Sequence, residues 1–440
     1  MTFLTRMRES FWVLPAALCL LAAAAAQGLI EVDRSLVGTS TEPLVGVDVL
    51  YRVGADGSRT LLSAIAGSVL GVASTTFSIT IAVMALTSSS FGPRLVRNFM
   101  ADRGNQVVLG TYLATFLYSL LVLRAIRTLD GTAAEEPFVP HLAVNGAVVL
   151  AVASIGLLVW FIHHISDSIQ VWTLARRVRE DLRHAVDDLY PARSGAGPAP
   201  RAAEGPEGPV SLKVRAAGTG YVVGVDVDDL VATAAELDLV MVLRVRPGDF
   251  VAEEGVVADV HGDVPDAAAL AARIRRQLSL SAVRSPAQDV GFSVQLLLDM
   301  LARALSPGTN DPYTARTALD DLSDGLAALA RRDHPEERRV DEDGVLRVVA
   351  PSVGLIELVD TVVDTVRAYG LDHPDVVVRA VRLLGQVAED ARPEQVTALV
   401  DQLDTLLAHH ATTDPFPRDR ERVLAAADAV RPVLPAPPAL

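Results

Sequence analysis

The sequence predicts a membrane α-helical domain with four transmembrane helices, followed by a cytoplasmic α+β domain made of a small sandwich- or barrel-like β module and a helical bundle. Three observations predict it. Four long apolar stretches crowd the first 165 residues, and Arg clusters beside them alternate with a loop at 30–60 that mixes three Arg with five acids and an acidic loop at 128–138. After about residue 172 the chain changes to the alternation of charged and apolar residues that soluble domains show.

The first stretch, residues 11–29, follows Arg6 and Arg8 and ends near Ala24-Ala25-Ala26, so it also resembles a secretory signal peptide with a cleavage site. Retention as a span is favoured, because the run is long for a signal core and carries Trp12 and Pro15. Cleavage would leave three spans in the same orientation. The second stretch, residues 61–86, has no charge and is long enough for a hydrocarbon core of roughly 30 Å. Its Gly67, Gly71 and Thr75 recur every four residues, with hydroxyls at Ser74, Thr76, Ser78 and Thr80, so that face is expected to meet protein or water. Residues 107–126 and 139–162 supply the third and fourth spans.

Orientation follows from the loops. Arg6 and Arg8, then Arg94, Arg97 and Arg103, then Arg176, Arg177 and Arg179 mark three cytoplasmic positions. The loop at 128–138 holds Asp130, Glu135 and Glu136 without a base, which suits the outside. The expected setting is a multi-pass protein of a bacterial plasma membrane, with the N-terminus and the C-terminal domain in the cytoplasm.

A formal net charge of −15 argues against nucleic acid as a partner, since phosphate binding needs a clustered basic surface. The Arg residues at 176–183 suit anionic lipid headgroups instead. Cys19 is the single cysteine, which excludes disulfides and cysteine-based zinc sites within one chain.

Beyond span four, Ile169, Trp172, Val178 and Leu182 keep an apolar stripe to about Leu189, a helix expected to leave the bilayer with the span. The layout is then a membrane domain with this extension at 1–190, a Pro- and Gly-rich flexible linker at 191–209, a β-rich module at 210–262, a helical domain at 263–431 and a disordered tail at 432–440. In the module, strands are predicted at 221–227, 240–245 and 256–260, with a helix at 229–237. RPGDFVAEEGVVADV resembles half of a barrel-sandwich hybrid, but no Lys stands where such modules carry a cofactor, and none is expected. Helices follow at 267–280, 291–304, 312–331, 354–369, 374–391, 393–410 and 418–430, several opening on Pro, with a strand at 346–349.

Three constellations have candidate chemistry. The loop SPGTNDPYTA holds Asn310, Asp311 and Thr314. Asp311 is placed to cap the helix opened by Pro312, which makes a rigid corner; with Asp299 and Arg303 on the preceding helix the same loop could bind a small polar ligand or cation. His163-His164 near the end of span four point about 100 degrees apart, which excludes joint ligation of one metal. His163 and Asp167 have the spacing of a hydrogen-bonded pair, serving as an interfacial polar cap or as a gate or proton relay. Residues 88–106 interleave Phe91, Leu95 and Phe99 with Arg94, Arg97 and Arg103, as an interfacial anchor or elbow would. No catalytic signature is present, so an enzyme is not expected, and no metal site is predicted.

Four ordered runs together, FSITIAVMALTSSSFGPRLVRNFMADRGNQVVLGTYLATFLYSLLVL, FIHHISDSIQ, GYVVGVDVDDL and ALSPGTNDPYTA, resemble the DUF2254 family of predicted bacterial membrane proteins over residues 11–369. The resemblance implies four spans and a cytoplasmic domain and assigns no activity. Two function classes fit. One is an oligomeric ion channel or transporter with Ser68, Thr75 and Ser78 lining a path. The other is a membrane-anchored sensor or interaction protein that binds a ligand or partner through its cytoplasmic domain. The partners expected are the lipid bilayer, further copies of the chain, and an ion or small polar ligand.

Overall fold

The computed structural model describes residues 12–37, 54–91, 103–126, 138–168, 171–193 and 208–434, and the chain divides into two compact units at Thr173 and Leu174. The first unit holds four helices: α1 (Val13–Val37), α2 (Ala55–Phe91), α3 (Arg103–Ala125) and α4 (His141–Ser168). Each is long and apolar enough to cross a membrane. α1 and α2 outrun their apolar stretches, because the polar residues at their ends find partners. α2 is described as far as Phe91. The elbow predicted beyond it, with Arg94, Leu95, Arg97 and Phe99, lies outside the described residues.

α3 is the central helix and packs against α1, α2 and α4. Its buried Asn105, Gln106, Thr115 and Ser119 explain why a span of modest apolar content sits inside the bundle. Helix ends are closed across helices. Both carboxylate oxygens of buried Asp33 accept from the first backbone N–H groups of α4, Leu142 and Ala143, each at 3.1 Å. Arg59 donates to the Ile126 carbonyl after α3 at 3.0 Å, and the Tyr118 hydroxyl donates to the Ala143 carbonyl at 2.9 Å.

The second unit opens within α5 (Val171–Leu189), whose buried Ala175, Val178, Leu182, Ala185 and Val186 recur at helical spacing. This helix was expected to extend the membrane domain, but its apolar stripe packs into the second unit. Two sheets follow. The larger has the order β1 (Leu212–Arg215), β5 (Val256–His261), β3 (Val240–Leu243), β8 (Leu346–Val349), β7 (Arg338–Val340), antiparallel except where β3 and β8 run parallel. The smaller is antiparallel with the order β4 (Phe250–Val251), β2 (Gly220–Val225), β6 (Leu278–Ser281). α6 (Val227–Glu236) packs on β3 and β8, and α7 (Ala267–Arg276) on β1 and β6. The stretch likened to a barrel-sandwich half therefore separates: β4 joins one sheet, and β5 lies between β1 and β3 in the other. β6 also ends the helix predicted to residue 280 early, because residues 278–281 gain a ladder on β2.

The remaining helices are α8 (Val290–Ala304), α9 (Pro312–Ala330), α10 (Leu355–Tyr369), α11 (Pro374–Asp390), α12 (Pro393–Ala411) and α13 (Pro417–Val430). Four of them carry Pro in their first turn, where its missing N–H costs nothing. α9 packs between α8 and α11, and α11 against α13. α5 runs beside α9 in the same direction: Arg179 pairs with Asp321 at 3.1 Å, Arg183 with Asp324 at 3.3 Å, and Arg332 past the end of α9 with Asp187. A Cβ at Gly325 would lie 2.2 Å from Leu182 Cδ2, so the close approach of these helices needs that glycine. The start of the predicted linker is held too: Arg193 donates to the carbonyls of Ala330 and Asp390 at 2.8 and 2.7 Å. At the other end Leu434 is fully buried, and 435–440 lie outside the described residues.

Candidate functional site

In the first unit Ser68, Thr75 and Ser78 are exposed on α2. Their neighbours Gly67 and Gly71 have open space around them. Two of the three hydroxyls are satisfied by their own helix: Thr75 donates to the Gly71 carbonyl at 3.1 Å and Ser78 to the Ser74 carbonyl at 2.9 Å. The helix backbone thus supplies acceptors for these two groups. Ser68 lines a shallow apolar groove of about 260 Å³ with Val72 of α2, Tyr112 of α3 and Ser154 of α4.

His163 is exposed and His164 stacks on Trp160, ring centroids 4.6 Å apart. Asp167 stands four residues on in α4, and its side chain lies outside what is described.

The SPGTNDPYTA loop is a hydrogen-bonded corner. Asp311 caps α9 by accepting from the Thr314 N–H at 3.1 Å and the Thr314 hydroxyl at 2.6 Å, and these bonds hold its carboxyl below the usual range. Asn310 takes a left-handed backbone with φ 45°, and Arg303 joins the turn through its carbonyl, which accepts from Ser306. Asp299 accepts from Gln295 one turn earlier at 2.9 Å. The capping duties assigned to Asp311 account for the geometry seen.

A half-open cavity of about 180 Å³ lies in the second unit, and the sequence does not announce it. Its wall comes from Leu189 and Tyr190 at the end of α5, Val225 and Val227, Leu243 and Val245 to Pro247, Gln288 and Val290, Pro335, Glu336 and Arg339, and residues 350–353. Tyr190 is the best-fixed member. It is buried, donates from its hydroxyl to the Val353 carbonyl at 2.7 Å and meets the His334 ring edge to face at 6.3 Å. Burial pushes its phenol well above the usual range, so it stays neutral and donating.

Arg246 follows β3 in a tight turn whose Gly248 has φ 100°, and a Cβ there would meet Asp289 Oδ2 at 2.6 Å. Its guanidinium forks onto the Glu357 carboxylate at the start of α10, with Nη1 to Oε2 at 2.9 Å and Nη2 bonded to Oε1. That pairing raises the Arg246 pKa further. Behind this turn Arg284 grips buried Asp289 at 2.8 and 2.9 Å, and Asp289 also caps α8 through the Phe292 N–H at 3.0 Å. Gln288 fixes the β2 edge by accepting from the Val225 N–H at 2.9 Å.

Arg339 is the unsatisfied member. It is the inward residue of β7, and its Nε is buried without a hydrogen-bond partner. Ser352 Oγ lies 3.3 Å from both ring nitrogens of His334, so neither nitrogen's lone pair is aimed at it, which is not the geometry of a nucleophile and its base. Among the described residues no group of three His, Cys, Asp or Glu could hold a metal ion.

The fold and the cavity thus define a class: a protein with four apolar helices able to span a membrane, carrying a mixed helix-and-sheet unit that encloses a small cavity. The chain belongs to the DUF2254 family, described as predicted membrane proteins, whose model matches residues 8–386. It is similar to uncharacterised proteins of Mycobacterium tuberculosis strain H37Rv and Mycobacterium bovis strain AF2122/97, at 32% identity over 390 residues in each case. Those matches cover 87% of this chain and 74% of each relative. No solved structure matches the chain.

Proposed function

We propose that this protein is a membrane-anchored sensor: its second unit, on the cytoplasmic side of a bacterial plasma membrane, binds a small molecule in the cavity and α5 carries the occupancy to the spans. One observation carries the reading. The cavity wall includes Leu189 and Tyr190, at the end of a helix described from Val171, three residues after the last described residue of α4, Ser168. A ligand seated there touches the end of the element that follows span four, and Tyr190 is locked to the opposite wall at Val353. The test is hydrogen exchange on the full chain in lipid nanodiscs with candidate small molecules. The reading expects slower exchange over residues 182–190 on binding. Saturable binding that leaves this stretch unchanged would overturn it.

A second reading, an oligomeric channel or transporter with α2 on the path, is favoured by the open face around Gly67, Gly71 and Thr75, which the protomer leaves unpacked. Ion flux through liposomes carrying wild type or Thr75→Leu tests it: selective flux lost in the variant supports a path, and no flux from folded protein removes it.

A further inference from the structure

We infer that the cavity beside Tyr190 binds a small monocarboxylate with a branched or ring-shaped apolar body, held through Arg339. This deepens the sensor reading and rests on it. The argument begins with charge. Arg246 is already spoken for, since Glu357 accepts from both of its terminal nitrogens. Arg339 is different: no ion pair or side-chain hydrogen bond engages its guanidinium among the described residues, and its Nε is buried. Arg339 lines the cavity with no anion paired to it among the described residues, and the fork geometry of guanidinium matches a carboxylate.

Gln288 adds a second donor. Its Oε1 accepts from the Val225 N–H, which assigns the amide orientation and turns Nε2 into the free donor at the cavity rim.

Size and lining set the rest of the molecule. The remaining wall is largely apolar, with Val225, Leu243, Val245 and Val290 prominent. A cavity of about 150 Å³ takes benzene, so about 180 Å³ suits a body of roughly six to eight heavy atoms. A phosphate or dicarboxylate fits poorly, because one unpaired cation faces it and exposed Glu336 stands at the same rim. Glu336 makes no ion pair among the described residues either. The carboxylate could therefore belong to a free short-chain acid or to an apolar amino acid, whose ammonium group Glu336 would receive.

Calorimetry on the full chain in nanodiscs separates these outcomes, with 4-methylpentanoate, its uncharged analogue 4-methylpentanamide, and leucine as probes. The inference expects an acid probe to bind and the amide to bind about tenfold more weakly or worse, the loss implied by one charge-assisted pair. Arg339→Gln removes that preference. Glu336→Gln leaves 4-methylpentanoate binding intact or tighter and weakens leucine, which tells the two carboxylate sources apart. Equal affinity for acid and amide overturns the inference, as does the absence of saturable binding by either acid. The acid and amide comparison needs no variant, so a misfolded Arg339→Gln protein would not spoil it. Hydrogen exchange over residues 182–190 in the same samples keeps the two claims apart. An amide that binds as well as the acid and slows exchange leaves the sensor reading standing and sinks the carboxylate; acid binding without any change in exchange does the reverse.

Discussion

The two units solve the same problem, the partnering of polar groups, by different means. In the first unit hydroxyls donate to their own helix, as Thr75, Ser78, Ser119 and Ser154 do to carbonyls four residues back. Helix ends there are closed by side chains from neighbouring helices, Asp33 on α4 and Arg59 after α3. In the second unit charged groups pair between elements: Arg392 with Asp333 at 2.6 Å, Arg284 with Asp289 at 2.8 Å, and Arg347 with both Asp238 and Asp341. Apolar groups reverse as well. Leu20, Val149 and Val159 are about two-thirds exposed in the first unit, whereas Met241 of β3, Val260 of β5, Leu297 of α8 and Leu384 of α11 are fully buried. A span gains little by hiding Leu from lipid, so close packing and satisfied backbone groups decide its neighbours. A water-facing unit is driven by apolar burial and can leave its charges at the seams.

Substitutions can sharpen that contrast. The largest effect should come from Asp289→Ala, which strips a buried carboxylate from Arg284 and removes the α8 cap: about 3–5 kcal/mol of stability in the second unit, read by chemical denaturation of the full chain in nanodiscs. An effect under about 1 kcal/mol would mean the pair is exchanged for water at little cost. Gly325→Ala should follow, at about 1–3 kcal/mol, by driving Leu182 and α5 away from α9. Asp33→Ala is expected to cost about 1–2 kcal/mol, all of it in the first unit, by freeing two N–H groups of α4. Thr75→Val should be nearly silent in stability, since its hydroxyl serves only its own helix; a loss above about 1 kcal/mol would point to a partner on that face.

The smallest expected effect is one of pH. His410 in α12 is buried, and neither ring nitrogen has a hydrogen bond of good geometry, although the Leu371 backbone and Asp419 favour its charged form. Burial wins and lowers its pKa. The unfolded chain then takes up the proton first, near the ordinary value of about 6.5. Stability from this residue is complete above that pH and falls as pH drops through the lower folded value. Melting curves at several pH values should show this loss in wild type and not in His410→Leu.

Much of the architecture is written in local pattern. The four apolar runs, the α5 stripe, the Pro residues that open α9, α11 and α12, and strand β8 at Leu346–Val349 all arise from short-range signals. The sheets are less legible, because β1, β6 and β7 are short and take their conformation from strands far away in sequence. The cavity is the extreme case. Tyr190, Arg246, Gln288 and Arg339 come from four separate segments, and each looks ordinary where it stands: a helix end, a turn, a capping stretch and a charged run. Asp311 shows the converse, a residue conspicuous in sequence whose bonds close on its own helix cap.

The central claim is that occupancy of the cavity reaches span four through α5. Trp160, stacked on His164 in α4, is a native reporter once Trp12 and Trp172 are replaced by Phe. The measurement is its fluorescence in nanodiscs while 4-methylpentanoate is titrated and binding is followed by calorimetry. The account predicts an emission change that saturates with the calorimetric curve. Saturated binding with an unchanged Trp160 signal would contradict it.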